Sequence, residues 1–127
     1  MLDFSKSDTA QADDPENAPG SNPVSYIYVI GLLGRPEGPV KIGYSQDPEV
    51  RRCELQTGIP DVLVLHHQEP VDQRIVGDLE RLLHKGIADH RRRKEWFNMT
   101  PAEAISQIKF AVIHHEQKLL ERLEFAY

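Results

Sequence analysis

Apolar and polar positions divide the chain into blocks of different period. Tyr26 to Ile30 is aromatic and β-branched throughout, which suits a strand. Gly31 to Pro39 holds three glycines and two prolines, so it is a turn and not a helix. Val40 to Tyr44 reads as a second strand. Asp47 is a good N-cap and Pro48 fits a first helical position, which predicts a helix to Gln56. Thr57-Gly58 ends it, and Pro60 prevents its continuation. Val62 to His67 is a short apolar run bounded by Pro60 and Pro70, the pattern of a central strand. From a cap at Asp72 to Ala88, the positions Ile75, Val76, Leu79, Leu82, Leu83 and Ile87 recur at helical spacing. Glu95-Trp96-Phe97-Asn98 is a short extended segment. Thr100-Pro101-Ala102-Glu103 is a capping box that opens a last helix, running to Glu124.

This pattern predicts an α/β fold of the α+β type: a small three-stranded, mainly antiparallel sheet flanked by helices, with a long C-terminal helix. At ~1.5 Å per residue that helix spans roughly 36 Å, long for a chain of 127 residues. Its distal half, residues 111–127, either wraps the chain's own core or overhangs it and pairs with a second copy as a homodimer. Residues 1–24 are rich in Asp, Ser, Asn, Pro and Gly and cannot bury enough surface to offset their ordering entropy, so a disordered acidic arm is expected. The foldable unit is then residues 25–110.

A core of this size is feasible without disulfides. Cys53 is the only cysteine, which favours a reducing, intracellular compartment. Neither a signal peptide nor a membrane span is legible. The net charge of -5 argues against a nucleic-acid partner at first sight. Most of it lies in the arm, where Asp3, Asp8, Asp13, Asp14 and Glu16 face only Lys6. The remainder is close to neutral and contains one basic block, Arg91-Arg92-Arg93-Lys94.

Glu80 and His84 are four residues apart on one predicted helix and so share a face. A carboxylate there suits Mg²⁺ or Mn²⁺, although such a pair is more often a solvated surface. Arg51 and Arg52 sit near a helix start, where guanidinium forks can match phosphate oxygens or simply pair with Glu49 and Glu54. Tyr28 and Lys41, taken alone, read as strand packing and an edge lysine. The pairs His66-His67 and His114-His115 lack zinc-site grouping. Gly31 to Gly38 lacks the lysine and serine of a phosphate-binding loop, and no serine nucleophile elbow is present.

Taken in order, these residues resemble the GIY-YIG endonuclease superfamily over Tyr26 to Ile108. Tyr26-Ile27-Tyr28 stands where the family has Gly-Ile-Tyr, and Lys41-Ile42-Gly43 where it has Tyr-Ile-Gly. The lysine form is similar to a phage and bacterial subgroup related to meiotically upregulated fungal proteins. Asp47-Pro48-Glu49-Val50-Arg51-Arg52, Glu80 through His84 and Glu95-Trp96-Phe97 look like the subgroup's later motifs.

The resemblance implies a divalent-metal-dependent endonuclease acting on DNA, with RNA left open. It implies that Tyr28 activates water, Arg51 stabilises the phosphate and Glu80 holds one Mg²⁺ or Mn²⁺. Lys41 and the ion would pull the Tyr28 pKa down. His84 joins the catalytic group. Arg52, Arg91, Arg92, Arg93, Lys94, Glu95 and Asn98 would bind nucleic acid or support the site. The alternative is a catalytically weak or inactive module that binds nucleic acid or a protein partner.

Overall fold

The computed structural model describes residues 23–124. The acidic arm lies outside the described residues apart from Pro23 and Val24, as do the last residues of the 111–127 segment. The elements are β1 (Val24–Leu32), β2 (Val40–Ser45), α1 (Pro48–Gln56), β3 (Leu63–Asp72), α2 (Val76–Gly86), β4 (Arg91–Arg93), β5 (Trp96–Phe97) and α3 (Pro101–Glu124), with one 3₁₀ turn over Ala88–His90. The strands form one sheet in the order β3-β1-β2-β5-β4, and every pairing is antiparallel.

β1 pairs on both of its edges and is covered on both of its faces. Consecutive strand residues point to opposite faces. Ile27 and Val29 therefore join Val40 and Ile42 on one face, against Leu79 and Leu83 of α2 and Ile108 of α3. Tyr28 and Ile30 face the other way, with Leu63, Leu55, Ile59 and Trp96. Two covered faces explain why the strand is apolar without alternation. Ile27, Val29, Ile30, Val40, Ile42, Leu79 and Phe97 are fully enclosed, each contributing about 1.5–3 kcal/mol by its removal from water.

The caps follow the local chemistry. The Val50 N–H donates to Asp47 Oδ1 at 3.2 Å. The Thr100 N–H donates to Glu103 Oε1 at 2.8 Å, and the Glu103 N–H to Thr100 Oγ1 at 3.1 Å, the reciprocal capping box. Along α3 the buried line is Ala104, Ile108, Ala111 and Leu119, with Leu120 and Leu123 packed beside it. Phe110 and Ile113 stand exposed on the same helix. No helix among the described residues is long and apolar enough to cross a membrane.

The sequence pattern predicts three strands, and the chain has five. The difference is the hairpin of β4 and β5, in which Arg91 pairs with Phe97 and Arg93 with Trp96, with Lys94 turning at φ 55°. A run of arginines carries no apolar alternation, so its strand character is invisible to side-chain periodicity. The backbone ladder alone creates it. β3 also runs past His67 to Asp72, which pairs with Val24. Asp72 is therefore not a helix cap: its Oδ1 accepts from the Arg74 N–H at 2.9 Å, and α2 begins later, at Val76.

The turn between β1 and β2 closes onto the segment after β5. Gly38 has φ 100°, and a Cβ at this position would collide with the Met99 carbonyl oxygen. Backbone cannot yield as a side-chain tip would. Gly38→Ala is expected to cost about 2–4 kcal/mol in urea unfolding. Unchanged stability would mean that this turn does not rest on Met99.

Candidate functional site

The register of β1 on β2 sets Tyr28 opposite Gly43 and Ile30 opposite Lys41. Opposed residues share a face, so the phenol and the amine emerge on the α1 side of the sheet. Gly43 is what gives the phenol room: a Cβ there would lie 2.5 Å from Tyr28 Oη and 3.0 Å from Glu95 Oε1. α1, started by its Asp47 cap, brings Arg51 to the same place, where its guanidinium acts on the Tyr28 hydroxyl and favours the ionised phenol. Arg51 also meets Glu54 at 3.3 Å, but both side chains are exposed and the pair adds little stability.

Burial pushes the Tyr28 pKa above 10.0, and the Arg51 guanidinium offsets this only in part. The charges of Glu95 and Glu80 push it up further. The sequence expectation has Lys41 and a bound ion lowering it; of the chain's own groups Arg51, not Lys41, does so. The cation on the phenol is Arg51. The Lys41 ammonium is instead 3.1 Å from Glu95 Oε1 and 6.0 Å from the centre of the Trp96 ring. Tyr28 thus holds its proton at neutral pH in the unliganded protein.

α2 approaches from the other face and meets β2 where its ladder stops. β5 pairs only with Val40 and Lys41. One residue beyond, the Ile42 N–H donates to the Glu95 carbonyl at 3.1 Å. The Ile42 carbonyl would be left bare, and His84 Nε2 meets it at 2.9 Å. A carbonyl only accepts, so Nε2 carries the hydrogen. Burial holds the His84 pKa below its usual value, so the ring is neutral at pH 7. It lies 5.0 Å from the Phe97 ring. Glu80 Oε2 is 3.8 Å from Nε2, too far for a hydrogen bond, and a neutral imidazole makes no ion pair. His84 therefore anchors α2 to the free end of β2.

Glu80 is one helical turn earlier, with its side chain only 13% exposed. Burial raises its pKa from 4.5 to about 7, the Glu95 charge adds to the rise, and Lys41 and Arg91 work against it. Glu80 and His84 line a cleft of about 510 Å³ with Tyr44, Arg81, Lys85 and Arg91.

The structure thus gathers Tyr28, Arg51, Lys41, Glu95, Glu80, His84 and Arg91 around one end of β2. The other expected residues lie apart. Arg52 Nε donates to Glu49 Oε1 at 3.0 Å, and the arginine is occupied there. Lys94 is exposed at the hairpin turn. Asn98 is exposed, and its backbone N–H donates to the His90 carbonyl at 2.8 Å. The basic block divides at the irregular register between Arg91 and Arg93. Arg91 lies 5.3 Å from the Phe97 ring centre beside the Glu80 cleft, while Arg92 and Arg93 line a separate cleft with Trp96. Sequence reasoning missed Trp96 as a site residue. Its only signal was its place after Glu95, within a motif read for its polar residue.

Among the described residues no group of three or more His, Cys, Asp and Glu side chains could hold a metal ion. That donor set does not suit a protein-caged zinc. It does suit an ion such as Mg²⁺ or Mn²⁺, which keeps most of its waters and takes one or two carboxylates. Glu80 offers a desolvated carboxylate whose negative charge is opposed by that of Glu95, the electrostatic setting in which a dication is favoured.

A family model described as the T5orf172 domain matches residues 25–112. No curated protein matches the chain, and no solved structure does.

Two outcomes follow from this geometry. Unfolded, Glu80 ionises near 4.5, and folded near 7. Between these values the folded chain keeps a proton the unfolded chain has lost, so stability from this group falls as pH rises through that window. Glu80→Gln, which does not titrate, should therefore gain on wild type as pH rises, by up to about 3 kcal/mol above neutrality in EDTA. Melting temperatures measured from pH 4.5 to pH 8 test this; a difference independent of pH would remove Glu80 from its desolvated place. Gly43→Ala should displace the phenol at a cost of about 1–3 kcal/mol, visible as lower thermal stability and a shifted tyrosine spectrum.

Proposed function

We propose that this chain, which belongs to the T5orf172 domain family, is a divalent-metal-dependent endonuclease that hydrolyses DNA phosphodiester bonds. The observation that carries the proposal is the grouping of Tyr28, Lys41 and Glu95 at one end of β2, with Arg51 and Glu80 near enough to act on them electrostatically. Arg51 favours the ionised Tyr28 phenol and the Glu80 charge opposes it. A guanidinium, a desolvated carboxylate and a hydroxyl are the groups a phosphodiester hydrolase needs. Within this reading the chain is a GIY-YIG endonuclease of the lysine type, supported by the pairing of Tyr28 in the first motif with Gly43 in the second.

Arg51 would fork onto two phosphate oxygens and offset the charge that develops on them. The Tyr28 hydroxyl would orient the attacking water, and would accept its proton only after the phenol had released its own to solvent, which a positive charge added nearby would favour. Lys41, held by Glu95 and Trp96, would supply a second positive charge at the sheet edge. Glu80, with Glu95 behind it, would hold Mg²⁺ or Mn²⁺, which when bound supplies Lewis acidity to the phosphate and lowers the pKa of coordinated water. His84 keeps α2, and so Glu80, in register with β2 through the Ile42 carbonyl.

One observation favours a second reading, a module that binds nucleic acid without cutting it. The Tyr28 pKa is raised, and a protonated phenol is a poor base. Nicking of supercoiled plasmid in Mg²⁺ or Mn²⁺ separates the two. Glu80→Gln and Arg51→Ala, each folded by circular dichroism, should lose about 10²-fold or more of wild-type activity while still binding plasmid. Equal nicking by wild type and Glu80→Gln would sink the metal assignment. Binding without nicking by any of the three would select the second reading.

A further inference from the structure

A cleft of about 280 Å³ opens on the Tyr28 face of the sheet, beside the catalytic candidates and outside them. Its inner surface is Trp96, Leu32, Pro39 and Ile59. Its rim carries Arg92, Arg93 and Asp61, all exposed. Among the described residues none of these three side chains is spent on an ion pair. Trp96 opposes Lys41 in the β5–β2 ladder. Lys41 is two residues from Gly43, roughly 7 Å along the strand, and Gly43 faces Tyr28. The cleft therefore lies next to the place where Arg51 would hold a phosphate.

We infer that this cleft receives one unpaired nucleobase of the bound nucleic acid, stacked on Trp96, with Arg92 and Arg93 on the neighbouring phosphates. The inference rests on the proposed nucleic-acid substrate and narrows it to strands with a nucleotide outside a duplex. The volume lies just under the usual range of ligand pockets, about 300–1,000 Å³, and suits one ring system. An aromatic plane with guanidinium groups at its rim is the pairing that single-stranded nucleic acid recognises. The Asp61 carboxylate can only accept, and a base edge offers amino or ring N–H donors to it. A paired base is already stacked between its neighbours and cannot enter. Cutting the hairpin's arginines into two groups, with Arg91 at the Glu80 cleft, lets one strand contact both places.

Trp96 is the only tryptophan in the chain, so its emission reports this cleft alone. The full chain is titrated in EDTA with three probes: a short oligodeoxythymidylate, an abasic oligomer with the same phosphates, and a blunt duplex. The thymidylate should quench Trp96 to saturation, and the other two should not. The double variant Arg92→Ala, Arg93→Ala, both at exposed positions, should weaken thymidylate binding about ten-fold by fluorescence anisotropy. Trp96→Ala should weaken it about ten-fold, while Trp96→Phe, which keeps an aromatic plane, should stay within a few-fold of wild type. Equal quenching by the abasic oligomer, or no quenching at saturating thymidylate, overturns the inference. Cleavage of plasmid without quenching removes this cleft and leaves hydrolysis standing. Quenching without cleavage does the reverse.

Discussion

The antiparallel register of β1 on β2 is the constraint on which everything else rests. It sets Tyr28 against Gly43 and Ile30 against Lys41. A slip of one residue would exchange the faces of every side chain on one of the strands. The phenol would then turn away from Arg51 and towards the helices, while Ile27 and Val29 would leave the larger core. The same alternation that buries the core thus aims the site, and the core's free energy holds the site in register.

A second constraint is electrostatic. Glu80, Glu95, Lys41 and Arg91 form a mutually acting set in which two negative and two positive groups share a partly desolvated place. The lysine is committed to Glu95, and Arg91 leans on the Phe97 ring. Glu80 is left with the least direct compensation. Its burial costs stability in the unliganded protein, which is the usual relation between a prepared site and the fold that supports it.

The sequence showed these features unequally. The helices with side-chain caps were legible because Asp47, and Thr100 with Glu103, act within a few residues of themselves. β1 and β2 were legible from composition. The start of α2 was not, because Ile75 caps it without any side-chain hydrogen bond and Asp72 belongs to a strand. Trp96-Phe97 was legible as extended, but β4 and its pairing with β5 were hidden, because a pairing of arginines with two aromatics is fixed by backbone hydrogen bonds and by the docking of Phe97. The proximity of Tyr28, Arg51 and Glu80 entered only through family resemblance. Nothing in local spacing joins a strand, the helix after it and a helix beyond a further strand. The sign of the Tyr28 shift was out of reach as well, since it depends on burial that only the assembled fold defines.

The pairing of β5 with β2 has a consequence for how the molecule breathes. Two residue pairs join this hairpin to the rest of the sheet, and the Phe97 ring, fully enclosed, is its main apolar anchor. Such a unit can detach by local opening without global unfolding, at a free energy set largely by that ring and well below that of the β1 ladder. Opening would carry off Glu95, Trp96 and Arg91 together, uncovering the Ile42 amide and loosening Lys41. The amide of Ile42 should then exchange with solvent on the hairpin's timescale, while those of β1 wait for the whole molecule.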